Sequence, residues 1–246
     1  MLFNIFGSSE PLPLPVSTDI HCHVVPGVDD GSPDAVTSVQ LLKAMRGWGL
    51  KRIFASPHVT ADTFENTPET LKQPWEELLT AVEEAKLDVE LHRHAEYRMD
   101  DFFMQQIDAN NLTPLPQGYI LVENSWSFEP WNLQSLFFDL QLKGYTPILA
   151  HPERYPYYSH SHKERYHELH QSGLLFQINL LSLAGHYGKH EQKTARYLLE
   201  NELVDFVGTD LHRLRHVESM NRYLSSNRYK KDLKLMAQNP LRNDSL

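Results

Sequence analysis

The chain has 246 residues, 41% of them hydrophobic and 22% charged, and its formal net charge is −9. This composition is that of a folded globular protein and excludes wholesale disorder, and one cysteine excludes a scaffold held by internal disulfide bonds. The acidic balance disfavours binding to bulk nucleic acid, whose phosphates attract clustered Lys and Arg.

We expect neither a membrane-spanning helix in the chain nor a signal peptide in its first residues. No apolar run approaches the ~18 residues of a spanning helix, and the first residues lack the basic and apolar regions of a signal peptide. We therefore predict a cytoplasmic protein. Residues 1–17 are predicted to be an extended, proline-punctuated lead-in, and residues 239–246 a frayed polar tail. No composition break divides the chain, so residues 1–246 are predicted to form one domain.

Short β-rich runs alternate with amphipathic helical stretches along the whole chain. Ser32 followed by Pro33 predicts an N-cap and a first helical residue, and Thr67 followed by Pro68 repeats this signal. Alternating strands and helices pair in parallel through right-handed crossovers. Two α/β architectures fit, an open doubly wound sheet or a TIM-like barrel that lacks one unit. The seven predicted strands are 18–23, 52–56, 89–96, 119–123, 146–151, 174–180 and 205–210.

Residue types that bind metals stand at the C-terminal ends of six predicted strands. In a barrel these ends meet on one face, where active sites lie. His21 and His23 are two apart on a strand and so share a face, while glycines in the loop 26–31 allow Asp30, or its neighbour Asp29, to fold back over it. The nine candidate ligands are His21, His23, Asp30, His58, Glu96, Glu123, His151, Asp210 and His212.

This ligand set predicts a cluster of metal ions that acts on phosphate esters. Nine ligands exceed the needs of one ion and suit two or three divalent ions, and imidazole with carboxylate favours Mn, Fe or Zn. Clustered ions activate a bridging water and hold phosphoryl oxygens. Arg154 follows His151 by three residues, and a guanidinium on that loop is suited to bind a phosphate through two parallel hydrogen bonds.

Several nearby residues have both a functional and a structural interpretation. The His-Cys pair at Cys22 is typical of cysteine-dependent tyrosine phosphatases, but these need an arginine six residues later, where this chain has Val28. We therefore predict that Cys22 is a buried packing residue. Trp126 and Phe128 are candidates to line the pocket. The histidines predicted to lie on a solvated surface are His160, His162, His167 and His170. The apolar residues predicted to form a partly ordered terminus are Leu2, Phe3, Ile5 and Phe6.

Seven motifs in the order D-I-H-C-H, S-P-H, A-E-Y, V-E-N, A-H-P-E-R-Y, Q-I-N and G-T-D-L-H resemble those of the PHP (polymerase and histidinol phosphatase) superfamily. Within it, they are most similar to the manganese-dependent protein-tyrosine phosphatases of bacterial capsule and exopolysaccharide loci. The resemblance covers roughly residues 18–212. The combination of motifs is highly specific, whereas any one motif alone would be a weak signal. Cys22, Leu211 and the segment 92–94 depart from the usual pattern, which leaves the shape of the pocket open.

The resemblance implies a distorted (β/α)7 barrel with three Mn²⁺ ions and hydrolysis by a metal-activated hydroxide. Arg154 would hold the substrate phosphate, and His58 or His212 would protonate the leaving phenolate. The substrate would be phosphotyrosine on the tail of a cognate tyrosine autokinase. The implied ligands of the three ions are, in turn, His21, His23, Glu96 and Asp210; Glu96, Glu123 and His151; and Asp30, His58 and His212.

Two alternatives stay open at this point. The first is another phosphoesterase branch of the superfamily, with histidinol phosphate or a nucleotide as its substrate, since the ligand set does not separate these. The second is a non-catalytic metal-binding scaffold that grips a kinase tail. The intact ligand set and Arg154 favour an enzyme.

Overall fold

Strands and helices alternate in the computed structural model, which describes residues 11–159 and 163–246. The predictions for Leu2 to Phe6, His160 and His162 lie outside these residues. Among the described helices, none has the length and apolar character needed to cross a membrane. The strands are Thr18–Asp19 (β1), Arg52–Ala55 (β2), His58–Val59 (β3), Glu90–Arg93 (β4), Glu96–Arg98 (β5), Tyr119–Glu123 (β6), Thr146–Ala150 (β7), Leu175–Asn179 (β8) and Phe206–Gly208 (β9). The helices are Ala35–Gly47 (α1), Lys72–Glu84 (α2), Asp101–Asp108 (α3), Leu133–Leu142 (α4), Pro156–Ser159 (α5), Glu164–Gln171 (α6), Leu180–Ala184 (α7), Lys189–Glu200 (α8), Leu214–Leu224 (α9) and Asn227–Met236 (α10).

The strands form two parallel sheets, in the orders β1-β2-β4 and β3-β5-β6-β7-β8-β9. The predicted strand 89–96 is interrupted at His94 and Ala95, between β4 and β5, and the predicted strand 52–56 is followed, after Pro57, by the further short strand β3. Pairing continues across both breaks, because the His94 N–H donates to Ala55 O at 2.9 Å and the Glu96 N–H to Pro57 O at 3.1 Å. The two sheets are therefore continuous, with β2 and β3 forming one strand of a barrel and β4 and β5 the next. We call each such barrel strand a stave.

The last stave also pairs with the first. An isolated parallel bridge joins Cys22 to Leu211. The Asp210 N–H donates to His21 O at 2.7 Å, and the His23 N–H donates to Leu211 O at 3.0 Å. These bonds link the continuation of β9 to that of β1 and complete a ring of seven parallel staves. The predicted distorted (β/α)7 barrel is thus confirmed, and the open doubly wound sheet is excluded.

Alternating side chains of the staves enter two separate apolar layers. In β6, Leu121 belongs to a small cluster inside the barrel, whereas Ile120 and Val122 pack in the layer between the staves and the helices. This is the period-two pattern of strands that are covered on both faces. Toward the C-terminal end of β6 the inward position after Leu121 is Glu123. The interior thus changes from apolar to polar at the face where the predicted ligands lie.

Two helix starts differ from the sequence prediction. The N-cap of α1 is Asp34 and not Ser32, because the Asp34 carboxylate accepts the Thr37 N–H at 2.7 Å. The residues from Thr67 form a turn, in which Thr67 and Thr70 exchange side chain to backbone hydrogen bonds, and α2 begins only at Lys72.

The C-terminal residues are held against the N-terminal end of the barrel, unlike the frayed tail that we predicted. Asn243 is fully buried, and its Nδ2 donates to Val207 O at 2.8 Å and to Thr18 O at 3.0 Å. The Asp244 carboxylate accepts the Ser17 N–H at 2.9 Å. Polar residues predicted a tail in water, but here their side chains bond backbone groups at the strand ends.

Candidate metal centre

The nine predicted ligands converge at the C-terminal face of the barrel, each carried by a stave end or by the loop that follows. His21, His23, Glu96, Glu123, His151 and Asp210 are buried, His58 and His212 are half-buried and Asp30 is exposed. The donor atoms of all of them except Asp30 form several overlapping groups, and within each group the atoms lie within 4.8 Å of one another. The overlap makes these residues one cluster.

Glu96 lies at the centre of the cluster. Its Oε2 is 3.3 Å from both His21 Nε2 and His23 Nε2 and 3.0 Å from His58 Nδ1. Its Oε1 is 3.0 Å from His151 Nε2. The carboxylate of Asp210 approaches from the opposite stave, with Oδ1 3.4 Å from His21 Nε2.

The donor atoms fit a divalent cation. His21 Nε2, His23 Nε2, His58 Nδ1 and Glu96 Oε2 are buried and make no hydrogen bond within the described protein. Orphaned buried polar atoms are costly. Ligand atoms that surround one ion at its usual bond lengths lie about 3.0–3.4 Å apart, and Glu96 Oε2 lies 3.0–3.3 Å from each of the three nitrogens. The mixture of imidazole and carboxylate, without thiolate, suits Mn, Fe or Zn.

Hydrogen bonds outside the cluster orient three of its imidazoles. The Nδ1–H of His21 donates to Gln177 Oε1 at 2.6 Å, and that of His23 donates to Asp29 Oδ2 at 2.8 Å. The Nδ1–H of His212 donates to the carbonyl oxygen of Asp210 at 3.0 Å. Each acceptor keeps the ring proton on Nδ1, so the Nε2 lone pair faces the cluster.

The first loop separates the roles of its two aspartates. Asp29 is turned inward, where its Oδ2 also accepts the backbone N–H of His58 at 3.0 Å. Asp30 lies over the face, with Oδ1 3.6 Å from His58 Nε2 and 3.4 Å from His212 Nε2. Of the two, Asp30 therefore offers its carboxylate to the cluster, and Asp29 positions His23.

Two backbone features help to bring these side chains together, namely left-handed conformations at two ligands and a glycine at a close approach of two staves. His151 and Asp210 adopt left-handed conformations, with φ of 36° and 50°, which are rare for residues with a side chain and concentrate at functional sites. A Cβ on Gly208 would lie 2.7 Å from His21 Cβ. Only glycine allows this stave to approach His21 so closely.

The cluster is strongly anionic. Burial disfavours the imidazolium forms, but Glu96 and its neighbouring carboxylates outweigh burial and raise the pKa of His21 to about 9 and that of His58 to about 10. Burial and the nearby Glu96 raise the pKa of Glu123 to about 7. The imidazoles in turn hold the pKa of Asp210 far below its ordinary value, against the effect of burial. Without metal ions, protons must supply the positive charge here.

Arg154 lies beside the cluster in a cavity of about 480 Å³. Its Nη1 donates to Asp210 Oδ2 at 3.0 Å, and its guanidinium is 4.0 Å from the ring centre of Tyr187 and 4.6 Å from that of Trp126. Stacking between two aromatic rings holds a guanidinium in a fixed plane. The other arginines that line the cavity are Arg98, Arg213 and Arg215, so its rim is suited to an anion.

The remaining candidates divide between the cavity and the core. Trp126 lines the cavity, as predicted, whereas Phe128 lines a neighbouring one. Cys22 is fully buried, and burial raises the pKa of its thiol, which confirms the packing role. His167 and His170 bond Tyr197 and Asp205 through Nε2.

Sequence reasoning missed three residues that support the cluster. The carboxamide of Gln177 orients His21, and Asn179 Nδ2 donates to Asp210 Oδ2 at 2.5 Å. Both belong to the Q-I-N motif, whose position at a strand end was the available signal. Tyr187 donates its O–H to the same Oδ2 at 3.2 Å. It follows a helix and not a strand, so strand-end reasoning had no signal for it.

Comparison with known proteins gives consistent matches. The family described as "Capsular polysaccharide synthesis, CpsB/CapC" matches residues 17–240. Tyrosine-protein phosphatase YwqE of Bacillus subtilis is 34% identical over 200 residues, which are 80% of this chain and 78% of that protein. The putative tyrosine-protein phosphatase CapC of Staphylococcus aureus is 30% identical over 211 residues, covering 85% and 82%.

Solved structures agree with the fold. A crystal structure from a study of YwqE from Bacillus subtilis and CpsB from Streptococcus pneumoniae, described as unique metal-dependent tyrosine phosphatases, matches with a TM-score of 0.75 and 29% identity, covering 90% of this chain and 94% of the other. The phosphotriesterase homology protein of Escherichia coli matches with a TM-score of 0.52 and 12% identity over 94% and 93% of the chains, which is a likeness of fold alone.

Proposed function

Since the chain belongs to the CpsB/CapC family of capsular polysaccharide synthesis proteins, we propose that it is a metal-dependent protein-tyrosine phosphatase. Its relatives YwqE and CpsB carry the name tyrosine-protein phosphatase. The observation that carries the proposal is the cluster of eight buried or half-buried donor residues, with Asp30 over its face and Arg154 directly beside it. A phosphatase of this type needs both elements, a metal cluster and a cation for the phosphate.

We propose that the cluster holds three divalent ions and that Mn²⁺ is the native metal. With Glu96 shared between two ions, the nine donor residues supply four, three and three ligands, and Glu96, which is within 3.3 Å of four imidazoles, is suited to bridge. When bound, the ions supply a Lewis acid for the phosphoryl oxygens and lower the pKa of a water molecule. The three ligand groups are His21, His23, Glu96 and Asp210; Glu96, Glu123 and His151; and Asp30, His58 and His212.

Arg154 binds the phosphoryl group of the substrate. Among the contacts of the described residues, one of its five N–H donors is engaged, by Asp210, so the others are available to phosphoryl oxygens. Stacking on Trp126 and Tyr187 keeps the guanidinium plane in place. The fixed fork favours two parallel hydrogen bonds to one phosphate, which stabilise the charge on its equatorial oxygens during in-line displacement.

The leaving phenolate needs a proton, and His58 or His212 is placed to give it. Both rings border the cavity and keep Nε2 within 3.6 Å of Asp30 Oδ1. The Nδ1 proton of His212 is held by the Asp210 carbonyl. A ring nitrogen that binds an ion carries no proton, so the histidine that serves as the acid is the one of the two whose Nε2 is protonated and not bound to an ion.

The substrate that we propose is phosphotyrosine on the tail of a cognate tyrosine autokinase. The family description, capsular polysaccharide synthesis, and the resemblance to phosphatases of capsule and exopolysaccharide loci support this choice. The cytoplasmic location, which such a substrate requires, stays a prediction.

A side-by-side assay tests the proposed function. The Mn²⁺-loaded protein is given a phosphotyrosine peptide, histidinol phosphate and a mononucleotide, and phosphate release is measured for each. We expect the peptide to have the highest kcat/KM. Preference for histidinol phosphate or the nucleotide would assign the chain to another phosphoesterase branch. Tight peptide binding without phosphate release, with every divalent metal tried, would support the scaffold alternative.

A further inference from the structure

The loop between β6 and α4 exposes aromatic side chains beside the active-site cavity. The exposed fractions are 39% for Trp126, 64% for Phe128 and 95% for Trp131. Single exposed apolar residues are ordinary on protein surfaces. Three aromatic residues within six positions of one loop form a patch, and such patches mark interaction sites.

A second cavity of about 420 Å³ adjoins the first along this loop. Trp126 lines the first cavity, whereas Ser127 and Phe128 line the second. The Cα atoms of Trp126 and Phe128 are two residues apart and therefore at most about 7 Å from each other. The two cavities are thus neighbouring compartments of one surface.

An extended peptide matches this spacing. In extended chains, residues two positions apart point to the same side and lie about 7 Å apart. A phosphotyrosine in the first cavity would therefore direct the side chain two residues away toward the second cavity.

The second cavity has aromatic walls and a negatively charged lining, which together favour a cationic side chain. Aromatic rings of Phe128, Tyr157 and Tyr158 form part of its wall. Among the described residues, its charged lining consists of three carboxylates and one guanidinium, namely Glu129, Glu164, Glu168 and Arg165. Arg165 is already paired with Glu129 at 2.5 Å and with Glu168 at 2.9 Å. An excess of two negative charges remains, in contrast to the arginine-rich rim of the first cavity.

We propose that the second cavity is a specificity subsite for a Lys or Arg side chain two residues from the phosphotyrosine. The alkyl stem of such a side chain packs on the aromatic rings, and its cation faces the carboxylates. The inference rests on the proposed phosphatase function and adds a sequence preference to it.

Two peptides test the subsite. They are identical except that one has Lys, and the other Glu, at both positions two residues from the phosphotyrosine, and p-nitrophenyl phosphate serves as a substrate without flanking residues. For the Mn²⁺-loaded protein, we expect kcat/KM to be about three- to tenfold higher for the Lys peptide, as one cation–π contact and one surface ion pair allow. The difference should lie in KM.

Variants of the second cavity test whether the preference for the Lys peptide arises there. We expect Phe128→Ala and the double variant Glu164→Gln, Glu168→Gln to lose most of it while keeping wild-type turnover of p-nitrophenyl phosphate. Leu142→Ala is the matched control, because Leu142 is 71% exposed but stands at the far end of α4, away from the catalytic face. It should keep the full preference.

Three outcomes would overturn the subsite. These are equal kcat/KM for the two wild-type peptides, a preference for the Glu peptide, or a preference that survives in the cavity variants. A change of oligomeric state in Phe128→Ala with unchanged peptide preference would assign the patch to a second copy of the chain instead. In all these cases hydrolysis of phosphotyrosine stands. Failure of the phosphatase function would appear differently, as no turnover of any of the three substrates.

Discussion

Arg154 and Asp210 share a hydrogen bond of 3.0 Å between Nη1 and Oδ2, while the other oxygen of Asp210 lies 3.4 Å from His21 Nε2. One carboxylate therefore joins the proposed phosphate-binding residue to the metal cluster. Asn179 and Tyr187 also donate to Oδ2, which fixes the carboxylate in its plane. The phosphate site and the metal site are built as one unit.

Arg154→Lys tests the role of the guanidinium fork. Lysine keeps the positive charge but loses the two parallel donors and the stacking. We expect kcat/KM for a phosphotyrosine peptide to fall by about 10- to 100-fold, which corresponds to about 1.5–3 kcal/mol for hydrogen bonds to a charged group, with metal content unchanged. Arg196→Lys is the control, since Arg196 makes a similar pair with Asp232 outside the site. Wild-type activity in Arg154→Lys would remove Arg154 from the mechanism.

Asp29→Asn tests the assignment of Asp29 as the residue that positions His23. The change weakens the acceptor of the His23 Nδ1 proton and leaves the nine proposed ligands in place. Loss of such an outer partner costs about 10- to 100-fold in metal affinity, which a Mn²⁺ titration measures. Asp34→Asn, at the N-cap of α1 in the same region, should leave metal affinity unchanged. Equal affinities in the two variants would contradict the assignment.

Local patterns in the sequence predicted the parallel strands and the position of the cluster, whereas the choice of the barrel over the open sheet came from the resemblance to the PHP superfamily. Alternation of strands and helices implies parallel staves, and the stave ends then carry His21, Glu96 and His151 to one face. Asp29 and Asp30 were indistinguishable in sequence, since the fold of their loop depends on contacts with His58 and His212 from distant staves.

Contacts between distant parts of the chain also explain the other differences. Tyr187 reaches Asp210 from a loop after a helix, and no local pattern predicts that approach. Polar residues such as Asn243 were read as a solvated tail, because their burial depends on free backbone groups at the strand ends. In both cases the partner lies more than 20 residues away in sequence.

Cys22→Ala separates this chemistry from that of cysteine-dependent phosphatases. Cys22 is fully buried, with Sγ 3.9 Å from Phe54 O, and burial raises the pKa of its thiol. We expect kcat to be retained and stability to change by about 1 kcal/mol, as for a small core truncation. Thiol-modifying reagents should not inactivate the native protein. Loss of kcat in a folded Cys22→Ala protein would show that the thiol takes part in the reaction.

The metal-free protein should lose stability as the pH rises from 7 to 9. The pKa values of His21 and His58 are raised from 6.5 to about 9 and about 10 in the folded chain. Their stabilising protons are fully present below pH 6.5 and are lost as the pH approaches these folded values. Glu123, with a pKa raised from 4.5 to about 7, acts in the same direction at lower pH, between about 4.5 and 7.

Urea denaturation at several pH values measures this dependence. Bound metal ions replace the protons, so the Mn²⁺-loaded protein should show a smaller decrease in the free energy of unfolding over the same range. A metal-free protein that becomes more stable between pH 7 and 9 would contradict the charge balance that we assign to the cluster.

The most direct test of the account is phosphate release from a phosphotyrosine peptide by protein that has been stripped of metal with a chelator and titrated with Mn²⁺. We predict no release before Mn²⁺ is added, and recovery that rises with the number of ions bound by the cluster. Release that persists in the metal-free protein, or that never appears with any divalent metal, would contradict the assignment of a metal-dependent tyrosine phosphatase.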